Sequence, residues 1–246
     1  MNLLISMDDT DSLDSPGTGE LAAEIARMIH GRGWGETSFI TRHQLYVHPE
    51  IPYTSHNSAM CFAAKVEPDC REVLIADAGD FLVRHSAPGS DPGLCVVDIT
   101  AVADTAAMES FGRTAKNSVL TKQAAYDLAR RLGIHLSEHG GTGQGVIGAL
   151  AGAGLRLSGN DGRIRGNLLL PNESRRLSVK SLLAIPEVEA VQTRSGETLP
   201  DEQEITLDGK VKMVLMGGRA TVLVTADSSN GGGSWRSVSK HEIKCY

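Results

Sequence analysis

Ile5-Ser6-Met7-Asp8-Asp9-Thr10-Asp11-Ser12 decides how this chain is read, because it sets three carboxylates within four residues directly behind an apolar run. Leu3, Leu4, Ile5 and Met7 spell a short buried strand. Such a strand ends by projecting Asp8, Asp9 and Asp11 together at a sheet edge, which is where open α/β folds place their ligands. Like charges that close repel. The usual compensator is a hard divalent cation with oxygen ligands, commonly Mg²⁺ bridging to nucleotide phosphates. A plain turn, solubilised by Asp8 and Asp11 with Asp9 or Ser12 capping the next helix, would use the same residues. The strand in front and the helix behind favour the metal site.

At 246 residues, 41% apolar and 22% charged, the chain has the composition of an ordinary globular protein of one large domain or one plus a small one. Its 24 Lys and Arg against 30 Asp and Glu give a net charge of −6, which argues against broad electrostatic capture of nucleic acid and leaves room for a local basic patch. No basic segment precedes the first apolar run as in a signal peptide, and no apolar stretch is long enough to span a bilayer. Cys61, Cys70, Cys95 and Cys245 are scattered without a CxxC pair, which excludes a zinc ribbon and fits reduced thiols in a cytoplasmic protein, Cys61 and Cys95 buried in strands.

Further along, the turn-rich stretch Leu13 to Gly19 leads into an amphipathic helix from Glu20 to His30. Thr37 to Val47 and Ser58 to Val66 read as strands, Cys70 to Val83 as a helix and Leu94 to Ile99 as a buried strand. Helix signals resume at Thr105, with Ser118 to Leu132 the clearest. Beyond Leu155 the character changes: Asn160-Asp161-Gly162 reads as a hairpin turn, Val179 to Ala184 as a short helix, Val188 to Thr225 as mostly strand with a turn at Gly217-Gly218, and Ser228 to Ser234 as a flexible loop. A soft boundary near Ile185 divides a catalytic domain, residues 1–184, from a small β-rich region, residues 185–246.

The second informative stretch runs from Glu138 to Ala151 and holds His139, Gly140, Gly141, Gly143 and Gly145 ahead of an apolar helix. A glycine-rich loop opening onto a helix lets backbone N–H groups approach an anion, which makes phosphate the expected ligand. Close packing of a Gly/Ala helix accounts well for Gly148, Gly152 and Gly154 but poorly for the glycines of the loop itself. No Lys-Ser/Thr follows, so this is not a Walker A loop. His139 stands beside the loop, within reach of a phosphate. His43, His48 and His56 form a separate group that could supply a general base or a transition-metal site; bonding to backbone is the commoner role for such histidines, and His43 is the best functional candidate of the three. Arg163, Arg165, Arg175, Arg176 and Lys180 form a diffuse basic stretch that reads as a solvated face, with contact to an anionic partner as the lesser alternative.

Three segments in order, Asp8-Asp9-Thr10-Asp11-Ser12, Thr41 to Ala59, and Gly143-Gln144-Gly145-Val146-Ile147-Gly148-Ala149-Leu150-Ala151, resemble the catalytic domain of the archaeal agmatidine synthetases. Those enzymes modify a cytidine in the anticodon of an isoleucine tRNA, using ATP and agmatine. The resemblance covers the first two thirds of the chain. It implies a kinase-like α/β (α+β) domain with ferredoxin-like βαβ elements, Mg²⁺ on Asp8, Asp9 and Asp11, and nucleotide phosphate on the loop from Gly140 to Gly145. It also places Thr18 at a threonine implicated in phosphoryl transfer. Arg42 is expected to stabilise transferring charge, and Ser12 and Asn57 to contact the nucleotide. The family's Met-Cys-Thr-Thr is here Pro16-Gly17-Thr18-Gly19, His56 replaces an arginine, and Ser55 replaces a threonine. The OB-fold and zinc module that handle tRNA in that family have no expected counterpart in 246 residues.

The function expected from all this is ATP- and Mg²⁺-dependent phosphoryl transfer or ATP-activated ligation on a nucleotide or small-molecule acceptor. The alternatives are a nucleotide-binding accessory subunit and a tRNA-modifying enzyme that needs a protein partner to hold tRNA. With 4% aromatic residues and a net charge of −6, the isolated chain is expected to bind free tRNA weakly.

Overall fold

In the computed structural model, which describes residues 1–51, 57–170, 175–207, 209–227, 234–244 and 246, strand β1 (Asn2–Asp8) is buried along nearly its whole length. Both of its faces are covered, so it reads as a continuous apolar run rather than an alternating one. The described residues form two compact units, Met1–Ser158 and Gly159–Tyr246. The boundary expected near Ile185 thus falls earlier: the short helix that resembled a last α/β element belongs to the β-rich unit.

In the first unit, β1 is followed by α1 (Thr18–Gly31), β2 (Gly35–Thr37), β3 (Thr41–Gln44), β4 (Ser58–Val66), α2 (Arg71–His85) and β5 (Gly93–Asp98). The sheet order is β5-β1-β4-β3, every neighbour is antiparallel, and β2 pairs with β4 beyond β3. That order and the two helical crossovers are the ferredoxin-like arrangement. The single strand expected from Thr37 to Val47 is broken at Ser38, whose N–H bonds the Ala63 carbonyl at 2.8 Å while its Oγ accepts the Ala63 N–H at 3.0 Å. Helices α3 (Thr105–Ala115) and α4 (Lys122–Leu132), strand β6 (His135–Glu138) antiparallel to β5, and helix α5 (Gly145–Leu157) complete the unit.

Period-two alternation sorts the core into two layers. Leu3, Ile5, Met7, Met60, Phe62 and Val96 face α1 and α2. Leu4, Cys61, Cys95 and Val97 face α3, α4 and α5. Burial pushes the Cys61 thiol up to about 12 and the Cys95 thiol well above its usual value, so both act as small apolar side chains. Cys245 lies outside the described residues.

The second unit holds β7 (Arg163–Ile164), β8 (Arg176–Ser178), α6 (Val179–Leu183), β9 (Ala190–Gln192), β10 (Glu204–Thr206), β11 (Val214–Met216), β12 (Arg219–Ala226) and β13 (Trp235–Ser237). Its strands run β7-β11-β12-β13-β10-β8, with β9 parallel to β12. The hairpin turn expected at Gly217-Gly218 joins β11 to β12, with φ of 58° and 73° as a two-residue primed turn requires. Asn160-Asp161-Gly162 is not a hairpin: β7 pairs with β11, and Asn160 Oδ1 instead accepts the Gly217 N–H at 2.9 Å. The flexible loop expected from Ser228 lies outside the described residues except for Ser234.

Candidate active site

Strand β1 ends by delivering Asp8 into the interior, where 8% of it is exposed. Burial, then the charges of Asp9 and Asp11, push its carboxyl up to about 8; the Asp9 N–H at 2.9 Å from Oδ1 and the charge of Arg42 oppose the rise. Asp9 has a φ of 54°, the left-handed region, where among the described residues only glycines otherwise stand. Its carboxyl is pushed up to about 6 by burial and by the charges of Asp91 and Asp11. The Thr18 hydroxyl, at the first turn of α1, donates to Asp11 Oδ1 at 3.3 Å and accepts from Thr10 Oγ1 at 3.1 Å. A strained residue and two destabilised carboxylates at one strand end mark a site shaped for something other than its own stability.

A cavity of about 680 Å³ opens over this strand end. Asp8, Asp9, Asp11, Thr18 and Arg42 line one side; Leu45, Val119, Leu120 and Ile147 line an apolar part. A few convergent polar groups beside an apolar wall are the usual make-up of a small-molecule site. Arg42 is steered by its Nε donating to Ser58 Oγ at 2.9 Å, and Asn57 by its Nδ2 donating to the Tyr46 carbonyl at 2.6 Å; Asn57 and Ser58 also line the cavity.

The glycine loop divides. Thr142, Gln144 and Gly145 line the cavity, whereas Gly140, Gly141, Gly143 and His139 do not. Gly141 and Gly143, at φ of 55° and 77°, curl the backbone so that the N–H groups of Thr142 and Gly143 converge on one point, and an anion already sits there. Asp91 Oδ1 accepts both N–H groups, and Asp91 Oδ2 accepts the Thr142 hydroxyl at 2.6 Å. The loop is an anion nest as the sequence suggests, filled from within the chain. Lys122 braces it from the other side, its Nζ donating to the Thr142 carbonyl at 2.8 Å and pairing with Glu138 at 3.1 Å.

His139 faces helix α2: a Cβ on Gly79 would lie 2.5 Å from its ring, and its Nε2 shares a hydrogen bond with Ser137 Oγ at 2.8 Å. It is thus held away from the acidic loop. Ser12 caps a local turn, its N–H donating to Ser15 Oγ at 2.7 Å, and does not line the cavity. His43 is fully buried with Nε2 2.7 Å from Thr41 Oγ1, and His48 stacks on Tyr46. Ser55 and His56 lie outside the described residues.

Two residues that sequence reasoning missed shape the site. Asp91 carried no signal, being a lone acid in a turn. Gly148 looked like a helix-packing glycine, and it is one, but its neighbour is the catalytic candidate itself: a Cβ there would lie 1.6 Å from Asp8 Oδ2. By contrast, Gly154 makes room for the Met108 carbonyl of α3.

Among the described residues, no three Asp, Glu, His or Cys side chains converge as a ready-made metal cage. The acidic loop nevertheless fits Mg²⁺ in chemistry, since this ion commonly takes one or two carboxylates and completes its shell with water and substrate phosphate. The two raised carboxyls are donors that a cation would return to the ionised form.

The sequence matches no protein-family model and none of the curated proteins. Its structure, however, is similar to solved ones. The complex of TiaS with its isoleucine tRNA and ATP aligns at 26% identity over 63% of this chain and 36% of that one, with a TM-score of 0.55. Apo TiaS, an agmatidine synthetase for that isoleucine tRNA, aligns at 25% over 63% of this chain and 35% of that one, with a TM-score of 0.53. The chain carries a TiaS-like domain. A tRNA fluorescent labelling enzyme shares the fold at 23% identity over 77% of this chain and 46% of that one, TM-score 0.55. The TiaS-like domain is a mixed α/β structure, and the matched part of the chain spans about a third of the length of those two TiaS chains.

Proposed function

We propose that the chain is an ATP-using enzyme of tRNA modification, whose first unit is the ATP- and Mg²⁺-binding catalytic domain and whose chemistry is phosphoryl transfer or ATP-activated ligation. The observation that carries this is the pair Asp8 and Asp9, pushed up to about 8 and about 6 in the wall of a cavity large enough for a nucleotide. A cation accompanied by phosphates relieves that repulsion; a neutral ligand does not. The TiaS complex with ATP and its isoleucine tRNA supports the same reading.

In this account Asp8, Asp9 and Asp11 would hold Mg²⁺, which would supply neutralisation of phosphate charge. Arg42, Thr18 and Gly19 line the cavity, and Arg42 with the amino end of α1 would take up negative charge that develops on a transferring phosphoryl group. Thr18, in hydrogen bond with Asp11, is oriented beside that charge. Leu45, Val119, Leu120 and Ile147 offer the base an apolar surface. Positioning and charge neutralisation carry most of the catalysis of phosphoryl transfer, so this inventory is sufficient in kind.

The test is ATP turnover by purified protein with and without Mg²⁺ and tRNA, in the wild type and in Asp9→Asn. Turnover that needs Mg²⁺ and is lost in the variant is expected. Tight ATP binding without turnover under any condition would point to an accessory subunit.

A further inference from the structure

We propose that the second unit carries an RNA-binding patch formed by Arg163, Arg165, Lys210, Lys212 and Lys240, which holds the phosphate backbone of the RNA acceptor. This deepens the tRNA-modification reading and rests on it for the identity of the RNA.

Three separate chain segments build the patch. Residues 163–168 and 211–214 run antiparallel: Arg163 pairs with Val214, the Ile164 N–H bonds the Met213 carbonyl at 2.8 Å, and the Leu168 N–H bonds the Val211 carbonyl at 2.9 Å. Arg165 and Lys212 follow and precede the bonded residues Ile164 and Met213 on the two segments. Ile164, Val211 and Met213 are buried, whereas Arg165 and Lys210 are exposed. Lys240, also exposed, arrives from the segment after β13, which is tied to β11 by the packing of Val214, Leu223, Val238 and Ile243.

The cations also act on one another. The Lys212 ammonium is held below its usual value by burial and then by the charges of Lys240, Arg163, Arg165 and Lys210, while its Nζ donates to the Gly166 carbonyl. Glu242, the acid close to Lys240 in sequence, is taken by Arg236 through two hydrogen bonds of 2.9 Å and by the Ser239 N–H at 2.9 Å. Charge is also divided unevenly. The first unit carries 12 Lys and Arg against 19 Asp and Glu, a net −7; the second carries 12 against 11, a net +1. The weak tRNA binding expected from −6 averaged over the chain therefore overlooks where the cations are. A surface cluster of cations suits the phosphates of a nucleic-acid backbone. Membrane surfaces are met more often by amphipathic helices with large apolar side chains, and here the exposed apolar group near the patch is Leu169.

The experiment is an anisotropy titration of the full chain with a labelled tRNA anticodon stem-loop across a salt series. The variant Arg165→Gln/Lys210→Gln/Lys240→Gln spares Lys212 and its backbone contact. Loss of three phosphate contacts should weaken binding at low salt at least tenfold and reduce the slope of log affinity against log salt by about 2. A control losing three first-unit cations, Arg27→Gln/Arg84→Gln/Arg130→Gln, should leave both unchanged. Equal loss in the two variants, no RNA binding by the wild type, or loss of binding to anionic phosphatidylserine vesicles rather than to RNA would overturn the proposal. ATP affinity is measured on the same samples: wild type that binds RNA but not ATP would sink the enzyme reading and leave the patch standing.

Discussion

The acidic loop and the glycine loop are both built to deal with charge, and they are in opposite states. At Asp8 and Asp9 like charges are pressed together, one backbone is strained, and two carboxyls are driven toward protonation. At Gly141 to Gly143 two N–H groups converge, and Asp91 has already satisfied them. The first is an unresolved electrostatic problem that a ligand can solve. The second is a solved one, a brace that shapes the cavity wall. Unsatisfied charge, rather than the presence of a phosphate-like motif, is therefore what the proposed ligand position rests on.

The largest expected effect comes from closing the gap that lets Asp8 approach α5. Gly148→Ala puts a methyl 1.6 Å from the present Asp8 Oδ2 position, so the carboxylate must leave. Mg²⁺-dependent ATP affinity, read by calorimetry, should fall more than a hundredfold. Gly154→Ala, which intrudes on the Met108 carbonyl and no cavity residue, should cost stability and leave the affinity of the folded fraction near wild type. Equal affinity losses in the two would dissolve the distinction between site and scaffold.

Next in size is the pH dependence of the metal-free protein. Asp8, raised from an ordinary 3.8 to about 8, keeps a proton in the folded state that the unfolded chain has released. Stability should therefore be highest near pH 4 to 5 and decline as pH rises toward 8. Asp8→Asn removes that decline and should stabilise the metal-free protein at pH 8 by on the order of 3 kcal/mol in urea unfolding, while abolishing Mg²⁺-dependent ATP binding. A variant less stable than wild type at pH 8 would make Asp8 a structural residue.

Asp91→Asn is a milder perturbation of the other region. The amide keeps the shape but loses the charge that accepts two N–H groups, so a loss of about 1–3 kcal/mol is expected in thermal unfolding. ATP affinity should drop only severalfold, through a looser wall. A marked gain in ATP affinity would show instead that Asp91 had been occupying the phosphate site. Smallest of all is Lys122→Met, which removes a partly exposed ion pair with Glu138 and one bond to the loop, and should change stability by less than about 1 kcal/mol.

Much of the first unit was legible in the sequence because its signals are local. The apolar run before Asp8, the strand Ser58–Val66 and the helix after Gly17 follow from burial and periodicity within a few residues. The antiparallel direction of the sheet was not legible, since strand polarity depends on the crossovers. Nor were the contacts of Gly148 with Asp8 and of Asp91 with Thr142, which join residues far apart in the chain. The second unit was read least well. Its strands are three residues long in most cases, too short for alternation to declare itself, and its basic patch is assembled from three segments of which the sequence showed one as a run.

A crystal structure with a non-hydrolysable ATP analogue and Mg²⁺ tests the central claim most directly. The account predicts the triphosphate and metal at Asp8, Asp9 and Asp11, with Thr18 and Arg42 against the phosphates and Asp91 still bonded to Thr142 and Gly143. A triphosphate seated in the glycine loop with Asp91 displaced, and no metal at the acidic loop, would contradict it.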